Sequence, residues 1–326
     1  MISRRTFLAV TSGVVLVAPI AADAQPVGKV YRIGYLSLAP GPSARSEALQ
    51  QGLRDLGYVE GQNITIEYRW GAGDLDRSRM AAIELVRSKV DVIVTGGPQT
   101  TQAAKEATTA VPIVMAVDYD PVGAGFVTSL ARPGGNITGL SAINPQLAGK
   151  RLALLKEAIP RLTRLAVFSN PAEPNSASYL RETREAARAL NIQVQSLELR
   201  SLRDLESAVQ AAKREHANAV AVLTDPITLY HRTELAGLAA KHHLPAIYSE
   251  RLFVEAGGLM SYGANDRELH RRAATFVDKI LRGAKPGDLP VEQPTRYEFV
   301  INMKAAKALG LTIPPALMAR ADQVVN

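Results

Sequence analysis

The residues best equipped for chemistry in this chain fall at the ends of apolar runs. In VDVIVTGGPQTTQAAK, Val90 to Lys105, such a run stops at Gly96 and Gly97, and a helical pattern follows with Thr100 near its start. The free N–H groups at a helix N-terminus carry partial positive charge and suit an anionic group, carboxylates included. VPIVMAVDYDP ends in Asp118, Tyr119 and Asp120, and ANAVAVLTDP ends in Thr224, Asp225 and Pro226. Ser37, Asn170, Ser176, Tyr248 and Glu250 hold comparable places. Hydroxyls and N–H groups can grip a carboxylate, aspartates an ammonium, and Tyr119, Tyr248 or Trp70 can cover an apolar or aromatic group. A zwitterion would use both kinds of group without leaving a buried charge unpaired, although a neutral polyol could use them too. The expected ligand-binding set is therefore Ser37, Gly96, Gly97, Thr100, Asp118, Tyr119, Asn170, Ser176, Asp225, Tyr248 and Glu250. Each has a plainer use: Asp–Pro pairs start turns, glycines permit tight turns, and strand-end aromatics pack.

Other chemistries fit poorly. A phosphate-binding loop needs a lysine directly after its second glycine, and TGGPQTTQAAK has none there. Gly149-Lys150 is followed by Arg151 and has Asn144 at the leading-glycine position. GAGFVT, Gly123 to Thr128, nearly spells a dinucleotide fingerprint but ends in threonine. The five histidines lack metal-ligand spacing; His242 and His243 close a helix, where imidazole can bond the final carbonyls. GGLMSYG is not a nucleophile elbow. With no cysteine, thiolate metal sites and cysteine nucleophiles are excluded. No cofactor and no metal are expected.

The elements that must position these residues alternate between strand and helix. From Val30 to Glu250 the order is VYRIGYLS, a helix over SEALQQGLRDLG with Ser46 and Gly57 as caps, NITIEYRW, a helix over Arg79–Ser88, VDVIVTGG, a helix over Thr101–Thr108 and VPIVMAVDYDP. It then restarts with LTRLAVFSN, a helix over Ser176–Leu190, IQVQSLELR, a helix over Asp204–Glu215, ANAVAVLTDP, a helix over Thr233–His242 and LPAIYSE. Such alternation implies parallel strand–helix–strand units. Corresponding strand ends, such as Ser37 and Asn170 or Asp118 and Ser249, are separated by similar distances along the chain. Two similar doubly wound lobes are expected, with ligands beyond the carboxyl ends of the strands. RPGGNITGLSAINPQLAGK suits a crossover between them. Because the tail is too long for one lobe, the chain is expected to return to the first lobe near Tyr262 and cross again near Leu289, a three-crossover hinge. Lobe 1 would then comprise residues 25–141 and 262–288, and lobe 2 residues 142–261 and 289–326.

The N-terminus reads as an export signal. Arg4 and Arg5 precede an apolar stretch from Leu8 to Ile20, too short to span a bilayer, and Ala22 and Ala24 offer a cleavage site before Gln25. The arginine pair fits the twin-arginine route, and the compartment expected is the periplasm. Removing residues 1–24 leaves 36 basic against 30 acidic residues, scattered without long like-charge runs. That pattern argues against nucleic-acid binding.

Longer stretches, among them LRDLGYVEGQNITIEYRWGAGDLDR, AVDYDPVGAGFVTSLARPGGNITGLS, LPAIYSERLFVEAGGLMSYG and KAAKALGLTIPPALMARADQVV, give the mature chain a family likeness. It resembles the tryptophan/tyrosine-type substrate-binding proteins of ABC transporters, which have the type I periplasmic binding protein fold. The resemblance implies a monomer that captures a small solute in an inter-lobe cleft and delivers it to a membrane permease. It does not specify the ligand. A second function class is a periplasmic hydrolase of a small sugar or amide, with Asp118 or Asp225 as acid or base. That reading lacks a partner base. A ligand-sensing regulator would need a helix-turn-helix segment before Val30, and none is present.

Overall fold

The computed structural model describes residues 29–326. The expected export signal lies outside them. Two sheets divide the strands. The first is ordered β2 (Ile64–Trp70), β1 (Tyr31–Ser37), β3 (Val92–Thr95), β4 (Ile113–Asp118), β5 (Ile137–Ser141), with every neighbouring pair parallel. The second begins with the same pattern: β7 (Gln193–Glu198), β6 (Arg164–Ser169), β8 (Ala219–Val222), β9 (Ala246–Tyr248), β10 (Met260–Gly263). It then adds β11 (Glu298–Asn302), antiparallel to β10, and β12 (Gln323–Val325), parallel to β11. The repeat expected from strand spacing is thus a repeat of sheet order, with one antiparallel departure in the second lobe.

Helices cover both faces of each sheet. In β3 and β4 every residue is buried, which is why these strands read as continuous apolar runs with no alternation. One face of the first sheet packs Leu49 and Leu53 together with Leu269, Ala273, Phe276 and Val277; the other packs Ala82, Leu85 and Ala104. In the second lobe Leu152, Leu155 and Tyr179 lie on one face of the sheet, and Leu205, Val209, Leu235 and Phe253 on the other.

Several boundaries differ from the sequence reading. The first helix spans Ala44–Asp55, with Ser43 as its N-cap; Ser46 lies a turn further in and its hydroxyl accepts the Ser43 N–H at 2.9 Å. Gly57 takes φ 86° just beyond the C-cap Leu56, a left-handed conformation that favours glycine. The second helix starts at Leu75, where the Asp74 carboxylate caps the N–H groups of Asp76 and Arg77. The stretch read as a crossover contains β5. Gly139 lies so close to β4 that a Cβ there would be 2.2 Å from the Met115 carbonyl oxygen. His242 does not cap with its ring: its backbone N–H bonds Leu238 O, while Nε2 is buried without a partner.

The chain passes between lobes three times. It leaves the first sheet after Ser141 and returns after Gly263, since Tyr262 and Gly263 still pair with β11. It stays with the first lobe through Glu292, beyond Leu289, because the Leu289 carbonyl accepts Thr138 Oγ1 at 2.7 Å and Glu292 exchanges backbone hydrogen bonds with Gly139 and Ser141. Arg151, fully buried, donates to Asn144 O, Asn144 Oδ1 and Tyr262 O, tying together two of these passages.

Candidate functional site

The carboxyl ends of the two sets of strands face one cavity of about 940 Å³. Of the expected residues, Ser37, Gly96, Gly97, Thr100 and Tyr119 line it from the first lobe, and Asp225 and Glu250 from the second. Asp118, Asn170, Ser176 and Tyr248 are not in its lining. Asn170 instead borders a smaller cavity of about 440 Å³ with Gln99, Arg200 and Pro226, and its Oδ1 accepts the Ala172 N–H at 2.9 Å. Ser176 opens the helix Ser176–Ala189. Tyr248 lies in the core, stacked on Phe253 at 4.6 Å between ring centroids. Trp70 stacks on Tyr68 against the first core. Of the three aromatics expected to cover a ligand, Tyr119 alone reaches the lining, where Tyr230 joins it.

The glycine pair forms the junction of β3 and the helix Pro98–Ala107. Gly97 is the N-cap and Pro98 fills the first helical turn, a position where its missing N–H is no loss. Thr100 Oγ1 and Thr101 Oγ1 both donate to Gly97 O, at 2.8 and 3.1 Å, and Thr101 also bonds Thr95 Oγ1 at 2.8 Å. These bonds fix the turn from below. A Cβ on Gly96 would meet Ser37 Oγ at 3.2 Å, whereas one on Gly97 would meet nothing within 4 Å. Gly97 therefore presents open backbone at the start of the helix.

Buried acids cluster where the lobes meet: Glu173 and Asp225 line the cavity from the second lobe, and Asp118, at the end of β4, lies near them outside the lining. Asp225 N-caps the short helix Pro226–Tyr230: its Oδ1 accepts the Thr228 N–H at 2.7 Å, while Oδ2 is buried with no partner. Glu173, in the loop after β6, is buried and neither carboxylate oxygen has a hydrogen-bond partner among the described residues. Asp118 Oδ1 accepts the Asp120 N–H at 3.0 Å, and its Oδ2 is also unpartnered. Burial pushes the Asp118 carboxyl up to about 7. Glu173 is pushed well above its usual range by burial and by the charges of Asp225 and Asp118, and Asp225 is raised by burial. Three buried carboxyl groups thus share one neighbourhood with no cation among them in the described residues. The Asn175 amide stands beside Asp118 and Glu173, and Gln99 beside Glu173, close enough to offset part of the upward shift but outside hydrogen-bonding geometry.

Glu250 has a different setting. Its Oε2 pairs with Arg45 Nη2, which also pairs with Asp266 Oδ2 at 2.7 Å, and its Oε1 is 3.4 Å from the Tyr119 hydroxyl. Burial opposes the Arg45 charge, but Glu250 and Asp266 outweigh it and raise the pKa. Asp266 is pushed up to about 7 by burial and by Glu250. Among the lining residues, Glu173, Gln99, Arg45 and Tyr230 are absent from the sequence expectation. Glu173 follows the same strand-end rule as Asn170, three residues earlier, and that was the available signal.

Two lobes of repeated sheet order, with a cavity of mixed polar and apolar lining between their strand ends, define a solute-binding protein of the type I periplasmic binding protein fold. Residues 38–325 match the family described as ABC transporter substrate binding protein, and the chain belongs to that family. A tyrosine-binding protein from Clostridioides difficile strain R20291 is 29% identical over 285 residues, covering 87% of this chain and 82% of the relative. A Streptococcus pneumonia ABC domain solved in complex with L-Trp is 28% identical, covers 91% of this chain and 100% of its own, and superposes with a TM-score of 0.86. A ligand-free, open substrate-binding protein from Clostridium difficile, 25% identical with 91% and 99% coverage, reaches 0.66.

Proposed function

We propose that this protein is the solute-binding component of an ABC import system, capturing an amino acid or close analogue between its lobes and delivering it to a membrane permease. It would act as a monomer in the periplasm, after cleavage near Ala24/Gln25. The observation that carries the ligand assignment is the pair of buried carboxylates on the cavity wall, Glu173 and Asp225, whose Oε1, Oε2 and Oδ2 atoms make no hydrogen bond among the described residues. A buried carboxylate without a donor is costly, and an α-ammonium brings both charge and three N–H donors. The open helix start at Gly97, with Ser37 and Thr100 nearby, suits the α-carboxylate. Tyr119, Tyr230 and Leu229 give an apolar and aromatic surface for a side chain. The names of the two relatives, one tyrosine-binding and one solved with L-Trp, support an aromatic amino acid.

Calorimetry on the mature protein tests this with L-tyrosine, L-tryptophan, 3-(4-hydroxyphenyl)propanoate and a panel of sugars. Binding of an amino acid, with much weaker binding of the propanoate that lacks its ammonium, is the expected result. Binding of a sugar or polyol in place of every amino acid would sink the assignment.

A further inference from the structure

We propose that Glu250 is a closure latch and not a ligand contact: Arg45 and Tyr119 of the first lobe grip this second-lobe carboxylate and hold the cleft shut. Arg45 lies in the helix Ala44–Asp55 and Asp266 begins the helix Asp266–Leu281, both packed on the first sheet. Tyr119 directly follows β4 of that sheet. Glu250 follows β9 of the second sheet and N-caps the short helix Arg251–Glu255. Both Glu250 oxygens are committed, one to the Arg45 guanidinium and one to the Tyr119 hydroxyl, and each partner comes from across the cleft. The Arg45–Asp266 pair stays within one lobe and so survives any rotation about the crossovers. The Arg45–Glu250 pair cannot.

Burial makes the pair decisive. Glu250 and Asp266 are 5% and 8% exposed and Arg45 is 17% exposed, so water screens the attraction little while the lobes are together. Asp266 orients the guanidinium from within its own lobe, which leaves Glu250 as the acid that joins or leaves. Opening would rehydrate both partners, so the latch biases the equilibrium without locking it. The ligand then binds a state already populated, and apparent affinity scales with that population. Arg45, Tyr119 and Glu250 are in this sense positioning residues. The inference rests on the reading of a closing cleft but not on the identity of the ligand.

The chain has no cysteine, so two introduced thiols can carry spin labels without competition. Met80→Cys on the first lobe and Leu202→Cys on the second are exposed positions. Their distance distribution, measured without ligand, should contain a short, closed component in the otherwise unaltered protein. Glu250→Gln should shift most of that component to longer distance, while Asp266→Asn retains it. Adding Arg45→Gln to Glu250→Gln should give no further shift, because the two act through each other. With L-tyrosine as probe, Glu250→Gln should also weaken apparent affinity by about tenfold. A folded Glu250→Gln protein whose distance distribution matches the unaltered one overturns the latch. If Glu250→Gln fails to fold, Arg45→Gln carries the same readout. Failure of L-tyrosine to bind, with the distances shifting as expected, would count against the ligand assignment alone.

Discussion

Arg151 donates through Nε to the backbone carbonyl of Tyr262 at 2.7 Å, from a helix that begins just after the first crossover to a strand that ends just before the second. Its other nitrogens hold Asn144 O at 2.9 Å and Asn144 Oδ1 at 2.6 Å. Replacing it by methionine keeps much of the volume but leaves these buried acceptors without donors. Arg151→Met should cost about 3 kcal/mol of stability, read as a lowered urea midpoint at unchanged slope. A midpoint within error of the parent would show that the crossovers do not depend on this tie.

The acid wall predicts a charge-selective defect. Asp225→Asn keeps an oxygen able to cap Thr228 while removing the charge, and Glu173→Gln removes the charge of the neighbouring acid at nearly unchanged volume. Each should weaken an amino acid by about 10- to 100-fold, the range of a lost charge-assisted hydrogen bond. Binding of the deaminated analogue should change little. Equal losses for both ligands in calorimetry would place the ammonium elsewhere.

Stability of the ligand-free protein should fall as pH rises. The Asp118 carboxyl is pushed up from 3.8 to about 7, so between those values the folded state keeps a proton that the unfolded state has released. Stability from this group is therefore full below about pH 4 and lost as pH passes through about 7. Asp118→Asn should flatten, though not abolish, the decline, since Glu173, Asp225 and Asp266 are shifted the same way. Melting temperatures from pH 4.5 to 8 give the slope directly.

Ligand binding should release protons. An ammonium placed among raised carboxyls favours their ionised forms, so affinity should climb with pH through about 7. Calorimetry at pH 6.5 in two buffers of different ionisation heat should then give different apparent enthalpies. Identical enthalpies would mean that the wall keeps its protons when the ligand arrives.

Gly52 sits where the helix Ala44–Asp55 crosses the helix Asp266–Leu281. A Cβ there would be 2.3 Å from the Arg271 carbonyl oxygen and 2.9 Å from Ala274 Cβ. Gly52→Ala must push the helices apart and should cost about 1–3 kcal/mol. An unchanged melting temperature would refute the close crossing.

The sequence carried the sheet plan further than the site. Strand ends were legible because β1, β3, β4, β6 and β8 are buried on both faces and read as apolar runs with polar stops. β5 and β12 were not, because ITGLS is interrupted by glycine and hydroxyl residues, QVV is brief and exposed, and their pairing is set by distant neighbours, Met115 and Val300 among them. The same limit applies to the cavity. Asp118 and Asp225 are conspicuous at strand ends, yet only three-dimensional packing brings Glu173 beside them, or sets Arg45 against Glu250 across some 200 intervening residues. Tyr248 looks available in LPAIYSE, but the Phe253 ring five residues on takes its face.

The helix Asp266–Leu281 completes the core of the first lobe, yet residues 142–263, which build most of the second, are made before it. On a ribosome, the first lobe must wait with one face of its sheet covered only by the helix Ala44–Asp55 while its neighbour is already emerging. The first lobe therefore cannot complete its core before the second is made, and truncation ahead of Asp266 should leave an aggregation-prone fragment with a half-covered apolar face. A first lobe finished only near the end of synthesis would suit the twin-arginine export expected from Arg4 and Arg5, a route that carries folded proteins.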